Sequence, residues 1–452
     1  MVRLHDTAEG RVVDVVPREA GKFSMYVCGP TVYDVPHIGH ARMTLVFDVL
    51  RRYLEWSGLD VTFVSNITDI EDKIIARANE RGIPFEELTR TYEQAWYDAM
   101  DKMGVKRPNA DPHATAYVDQ MVAFIQDLID RGHAYETSDG VYFSIETLPG
   151  YGLLARQSLE SLRVGGSERV DDAEDKRAPF DFALWKKAKP GEPTWPSPWG
   201  DGRPGWHIEC TVMSLDLLGD GFDLHGGGQD LAFPHHENER AQALGGGHEF
   251  ARRWVHNGWV EVEGKKMSKS LGNFTNLTDL LERADGRAYR LLILQSHYRS
   301  PLEVTGDTIA RAEQSLATLD AFARRAADLP PVPSDVAVLE RFSEAMDNDL
   351  QTPAATALLF DTVTRANAAI DAGDIDAAAP LAAAAKEMAT VMGLELRAAA
   401  DDVDEATAAL VRQRDEARAA KDFAAADRIR DELVAAGWVV EDTPGGTKVR
   451  RP

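Results

Sequence analysis

Residues 23–64 change apolar period twice, and this constrains the fold more than any other feature of the chain. Phe23-Ser-Met-Tyr-Val-Cys28 alternates as a strand does, and Gly29-Pro30 stops it. Val46, Val49, Leu50 and Tyr53 then recur at i, i+3, i+4 and i+7, which predicts a helix. Residues 61–64 return to a short apolar strand. Strand, turn, helix, strand is a βαβ unit, so an α/β fold on a parallel sheet with a right-handed crossover is expected.

The remainder divides by pattern. Residues 85–133 read as helical, ending near Gly132. Residues 140–205 read as irregular, with a charged run at 171–177, and have the character of an insertion between α/β segments. Alternating elements return at 205–261, and from about Thr305 the chain is Ala-rich and helical, broken by a proline-rich loop at 329–335. After a polar linker at 399–405, Asp422 is placed to cap a helix whose apolar face is Ala426, Ile429, Leu433 and Ala436, stopped by Gly437. Residues 438–441 and 447–450 suit a hairpin. A length of 452 residues calls for two to four domains. No apolar run approaches the roughly 20 residues that span a bilayer, so no membrane is expected. Two cysteines rule out a disulfide framework and point to a reducing cytoplasm. The formal charge of −24 argues mildly against nucleic acid. From Ala409 onward, however, nine Lys or Arg nearly balance eight Asp or Glu, so a phosphate-tolerant face is sought there first.

Two short motifs carry chemistry. His37-Ile38-Gly39-His40 lies where a strand turns into a helix. There, backbone N–H groups and the helix dipole favour an anion, and two imidazoles add donors for a polyphosphate. Gly39 allows close backbone approach. Alone, such a tetrapeptide is more often an exposed loop. Lys266-Met267-Ser268-Lys269-Ser270, followed by Leu271-Gly272-Asn273, offers lysine charge on a Gly-flanked segment suited to a departing pyrophosphate. The two motifs in this order are far more specific than either.

Together they are the "HIGH" and "KMSKS" signatures, and the chain resembles the class I aminoacyl-tRNA synthetases, in particular their cysteine-specific branch. Matching stretches are Tyr26-Val-Cys-Gly-Pro-Thr-Val-Tyr33, Asn66-Ile-Thr-Asp-Ile-Glu-Asp-Lys73, Pro204-Gly-Trp-His-Ile-Glu-Cys210 and His225-Gly-Gly-Gly-Gln-Asp-Leu-Ala-Phe-Pro-His-His-Glu-Asn-Glu239. The resemblance runs from about Leu4 to Arg451. It implies a Rossmann-like catalytic domain at 1–119 and 203–250, a connective insertion at 120–202, and a stem-contact region with the lysine loop at 251–304. A helical bundle at 305–398 and a small mixed anticodon-binding domain at 399–452 would follow.

A metal can be weighed without the family. Two cysteines in such a chain are usually buried hydrophobes. Yet Cys28 ends the strand leading to the phosphate turn, at the carboxyl edge of the sheet where ligands bind. Cys210 precedes a run holding His225, His235, His236 and Glu239. His235 and Glu239, at i, i+4, can share one helix face, and His236 with Glu239 is a rival pair. Two thiolates, an imidazole and a carboxylate form a borderline-soft tetrahedral zinc set. The resemblance selects Cys28, Cys210, His235 and Glu239, with one zinc per chain. Serine and cysteine are near-isosteres that pocket size separates poorly, whereas zinc prefers a thiolate to a neutral hydroxyl.

By position, the resemblance further implies that His37, His40, Lys266 and Lys269 are catalytic. His37, Gly39, His40, Gly228, Asp230 and Lys269 would contact ATP. Thr31, Thr68, Trp206 and His225 would contact the substrate, and Arg418, Phe423, Asp427 and Asp442 the anticodon. Phe423 could instead be core. The implied partners are L-cysteine, ATP with Mg²⁺, and tRNA(Cys), acting on a monomer through a cysteinyl-adenylate. Two rival readings are a cysteine–amino-sugar ligase of the mycothiol pathway, whose relatives lack the full tail, and a non-catalytic zinc-containing RNA-binding protein.

Overall fold

The computed structural model describes residues 1–156, 175–262, 265–266, 276–398, 405–443 and 446–450. Lys22–Val27 is central in a four-stranded parallel sheet of order Trp254–Asn257, Leu224–Gly228, Lys22–Val27, Asp60–Val64. Phe23, Met25, Tyr26 and Val27 are all buried, as expected of a strand covered on both faces. The crossover is the helix Ile38–Trp56, whose Val46, Val49, Leu50 and Tyr53 are buried as their spacing predicts. From the central strand the chain passes first to Asp60–Val64 on one side, and later to Leu224–Gly228 on the other. This reversal opens a crevice beyond the carboxyl ends, the usual ligand position in such sheets.

Two expectations are corrected. Residues 85–133 are not one helical stretch: Phe85–Lys102 and Val118–Asp130 are separate α-helices. Between them the chain runs beside Val64 and Ile67 in short bridges to Ala110 and His113. Gly104 takes φ +68°, and Pro108 and Pro112 lack the N–H that a helix interior needs. Nor are residues 140–205 irregular throughout. Ala134–Thr137, Gly140–Phe143, Phe182–Lys187 and Gly202–Pro204 form an antiparallel sheet in that order. Its buried Val141, Phe143, Leu184 and Trp185 join the core containing Ile208 and Met213 of the helix Trp206–Leu218.

The chain separates into two compact units, one of residues 1–313, 340–357 and 391–394, the other of 314–339, 358–390 and 395–452. Residues beyond 305 are helical over Gly306–Arg325, Val336–Asp347, Thr352–Asp371 and Ile375–Val391. In the second unit, the helices Glu405–Ala419 and Phe423–Ala435 precede a hairpin of Val439–Thr443 and Gly446–Arg450. Asp422 caps the second helix, accepting from Ala425 N at 3.0 Å, and Leu433, Trp438 and Val449 form a small core. Arg324, almost fully buried, pairs with Glu441 of the hairpin.

Candidate active site and metal centre

Cys28 follows the central strand directly, and Cys210 lies one turn into the helix Trp206–Leu218. Their sulfurs are 3.9 Å apart, and Cys28 Sγ is 3.7 Å from Glu239 Oε1. His235 Nε2 stands 3.0 Å from the same oxygen. His235 sits in the kinked turn Ala232–His236, just before the helix Glu237–Gly245 that carries Glu239, so their spacing bridges a junction rather than one regular helix. Ligand atoms of Cys28, Cys210, His235 and Glu239 all lie within 4.8 Å of one another, as do those of Cys28, His225, His236 and Glu239. The rival His236 is therefore also drawn in, with Nε2 at 3.3 Å from Cys28 Sγ but 4.0 Å from Glu239 Oε1.

The donor geometry suits the set that holds both thiols. Two zinc–sulfur bonds of about 2.3 Å at a tetrahedral angle put the sulfurs about 3.8 Å apart, close to the separation of the two thiols. Glu239 divides its oxygens, Oε1 toward Cys28 and His235 and Oε2 toward His225 Nε2 at 2.8 Å. His225 thereby orients the carboxylate from behind. Every one of these side chains is buried, and burial pushes the Cys28 thiol and the Glu239 carboxyl up while pushing His235 and His236 well down. The Cys28 thiol, the Glu239 carboxyl and the His235 and His236 rings are thus driven toward their uncharged forms. A divalent cation reverses that preference for the thiols and the carboxyl, and uncharged imidazole is the form that ligates metal. The residues present fit one zinc.

An outer ring of groups supports the cluster; among them sequence reasoning singled out Trp206 and His236 but not His207, His256 or Asn66. His207 Nδ1 meets His235 Nδ1 at 2.8 Å, and Trp206 stacks on His235 with ring centroids 4.2 Å apart. His236 Nδ1 meets His256 Nε2 at 2.9 Å, and His256 Nδ1 meets Thr7 Oγ1 at 2.7 Å. Burial holds both His207 and His256 down at about 3. Asn66 follows the strand Asp60–Val64 much as Cys28 follows its neighbour. Its Oδ1 accepts from Gly29 N at 2.9 Å and lies 3.7 Å from Cys210 Sγ. Applied to both strands, the carboxyl-edge argument finds Asn66 as well. Gly29 is required there, because a Cβ would meet the Asn66 carbonyl oxygen at 1.6 Å.

Thr31 and Thr68, the two threonines matched to the substrate's ammonium side, bridge one another, with Thr68 N donating to Pro30 O at 3.0 Å. Thr68 Oγ1 accepts from Asn66 Nδ2 and donates to Glu209 Oε2, both at 3.1 Å. Burial, with Asp69 next in effect, pushes the Glu209 carboxyl well up. Gly228 is buried and Asp230 exposed; a Cβ on Gly228 would meet Asp230 Oδ1 at 2.6 Å. A Cβ on Gly226 would strike the Phe47 ring at 2.3 Å, so close packing on the crossover helix explains that glycine.

His37 caps the helix Ile38–Trp56. Its Nδ1 accepts from His40 N at 3.2 Å, His40 Nδ1 approaches His37 N at 3.5 Å, and the rings stack at 3.4 Å. With Nδ1 accepting, each neutral ring carries its proton on Nε2, a donor suited to a phosphate oxygen. The same helix holds the strands around the lysine segment. Arg42, 1% exposed, donates to the carbonyls of Trp259, His297, Tyr298 and Ser300. Val260–Val262 and Leu302–Glu303 start just beyond these carbonyls, and Lys265–Lys266 pairs with the former. Asn276 bridges back to His37. Lys269 and the Lys266 side chain, both named above, lie outside the described residues.

In the second unit, Phe423 is 64% exposed, which disposes of its being core, and Asp427 is exposed. Asp442 accepts from Arg418 and, at 2.7 Å, from Arg414, whose guanidinium also reaches Thr447 Oγ1.

Residues 14–314 match the tRNA synthetases class I (C) catalytic domain, residues 341–397 the DALR domain, and residues 400–450 the cysteinyl-tRNA ligase anticodon binding domain. The chain is 49% identical to a cysteine–tRNA ligase of Halorhodospira halophila over 461 residues, covering 100% of both. It is 46% identical to one from Symbiobacterium thermophilum, covering 100% of this chain and 99% of the relative. A Mycobacterium tuberculosis methionyl-tRNA synthetase, solved with methionyl-adenylate, shares the fold with a TM-score of 0.62 at 15% identity, covering 90% of this chain and 96% of that one. Among the described residues no helix is long and apolar enough to cross a membrane. On the full-length likeness and the three matched segments, the chain belongs to the class I cysteinyl-tRNA synthetase family.

Proposed function

We propose that the chain ligates L-cysteine to the 3′ end of tRNA(Cys) through a cysteinyl-adenylate, and selects cysteine with one zinc held by Cys28, Cys210, His235 and Glu239. The observation that carries this reading is the convergence of those four donors beyond the central strand, within 4.8 Å of each other. When bound, the metal supplies a soft Lewis acid that accepts a thiolate far more readily than a serine hydroxyl.

The chain's own residues do the rest. Trp206, stacked on His235, walls the pocket, and Thr31 and Thr68 hold the ammonium end, so the carboxylate faces the α-phosphate of ATP. That carboxylate oxygen attacks the α-phosphorus, the bond to the bridging oxygen breaks, and pyrophosphate departs. His37 and His40 donate through Nε2 to phosphate oxygens at the helix start, and Lys266 and Lys269, with Mg²⁺, stabilise the leaving charge. Gly39, Gly228 and Asp230 would line the nucleotide. A ribose hydroxyl of the tRNA 3′ terminus then attacks the adenylate carbonyl and AMP leaves. Arg418, Phe423, Asp427 and Asp442 would read the anticodon, by stacking and base-edge hydrogen bonds. The match of residues 400–450 to an anticodon binding domain favours tRNA over an amino sugar as acceptor.

The test is cysteine-dependent pyrophosphate exchange run beside serine, with metal analysis of the same preparation. Exchange with cysteine alone, and about one zinc per chain, is the expected result. Protein that is active but metal-free sinks the selectivity argument.

A further inference from the structure

Glu209 is fully buried, yet only half of its carboxylate is used: Oε2 accepts from Thr68, while Oε1 has no hydrogen-bond partner. A buried carboxylate oxygen without a donor is costly and therefore rare in folded proteins. Its charged surroundings deepen the anomaly. Asp69 and Glu71 act on Glu209 as like charges, and Arg203, the one cation among its main influences, is engaged by Asp72 and faces Glu192. The side chain lines a cavity of about 790 Å³ whose wall includes Trp206, His207 and Ile70. The cavity wall, lined by both acidic and basic side chains, thus holds a buried, unsatisfied acceptor next to Trp206 and His207, which contact His235 of the metal cluster.

The hydrogen-bond chain fixes what would fit. Cys210 Sγ contacts Asn66, Asn66 donates to Thr68, and Thr68 donates to Glu209. A small ligand with its sulfur at the cluster would carry the groups on its next carbon toward this Asn66–Thr68–Glu209 chain. For an amino acid thiol, one of those groups is a primary ammonium. We propose that Glu209 binds the α-ammonium of cysteine, with Oε1 accepting from it directly and Thr68 fixing the carboxylate's orientation. This inference rests on the cysteine-activating reading above. It adds a second selection element: the metal reads sulfur, and Glu209 rejects thiols that lack an amino group.

The experiment compares cysteine, cysteamine (ammonium without carboxylate) and 3-mercaptopropionate (carboxylate without ammonium) as competitors in pyrophosphate exchange. Wild type is set against Glu209→Gln, which keeps the size and the acceptor for Thr68 but cannot take up the negative charge that a bound ammonium stabilises. Loss of a charged hydrogen bond predicts about 10- to 100-fold weaker cysteine and cysteamine. Binding of 3-mercaptopropionate should change by less than about threefold, and zinc content should be unchanged. Glu209→Asp, which retains the charge with a shorter reach, should fall between the two and serves if the Gln variant does not fold. Equal weakening of all three thiols, or undiminished cysteine binding, overturns the assignment. Cysteine-over-serine selectivity of the wild type is read in the same assay, and a failure there counts against the metal reading, not against the ammonium split.

Discussion

Glu239 is wholly enclosed, with His225 on one oxygen and Cys28 and His235 facing the other, whereas Phe423 is 64% exposed and Asp427 and Asp442 lie at the surface. The first region fixes its polar groups against one another in a closed core before any substrate arrives. The second displays an aromatic ring and charged groups on two helices and a hairpin whose own core is little more than Leu433, Trp438 and Val449. A site that must distinguish sulfur from oxygen needs donors held to a fraction of an ångström, and burial among packed elements supplies that. A surface that stacks unpaired bases needs an accessible ring, and tolerates a modest scaffold. Single substitutions should accordingly be severe in the first region and graded in the second.

Breaking the metal cluster tests the severe end. Cys28→Ser is expected to remove zinc and lower cysteine-dependent exchange on the order of 10³-fold, more than loss of an outer-ring partner, while circular dichroism stays near that of wild type. A metal-replete Cys28→Ser protein would show that the closed donor set is not the binding site. Lys269→Ala should slow adenylate formation by about 10²-fold with little change in cysteine affinity, since its charge is needed only as pyrophosphate leaves. Collapsed affinity with intact turnover would move that lysine into substrate binding. His225→Gln, which replaces the imidazole held on Glu239 Oε2, should loosen zinc by about 10- to 100-fold in a chelator competition.

The smallest effect belongs to the tail. Phe423→Ala should weaken tRNA(Cys) by about 1–3 kcal/mol and leave pyrophosphate exchange unchanged. Equal loss in both assays would mean that the tail is not a separate reading surface. Truncation at Asp401 asks the same question more bluntly. It also removes Glu441 from the buried Arg324, so a stability change would accompany any loss of charging.

Legibility in the sequence followed how locally each element is determined. The helix Ile38–Trp56 carries its period within itself, and the helix Phe423–Ala435 its period and its Asp422 cap, so both were readable. The antiparallel sheet of the insertion was not, because its strands are three to six residues long and Phe143 finds its partner at Phe182. No window of sequence contains that pairing. The break after Lys102 was marked by Gly104, Pro108 and Pro112, but apolar spacing on either side masked it. At the site, cysteines and the His-x-x-x-Glu spacing drew attention by residue type. Asn66 could have been found by the same carboxyl-edge argument as Cys28, whereas Glu209 and His256 acquire meaning only once folding sets them against Thr68 and His236.

Arg42 gives the helix that begins at His37 and the strands before Lys266 a shared datum. It reaches from the helix that begins at His37 to Trp259, 217 residues further on, and grips the backbone where the strands leading to Lys266 originate. Parts mounted on one fixture share a reference, so the start of that helix and the root of the lysine strand are positioned together. Replacing a forked guanidinium that spans four carbonyls would free each part to wander separately. The resulting enzyme would hold every substrate and still lose time, waiting for two halves of a phosphate cradle to come back into alignment.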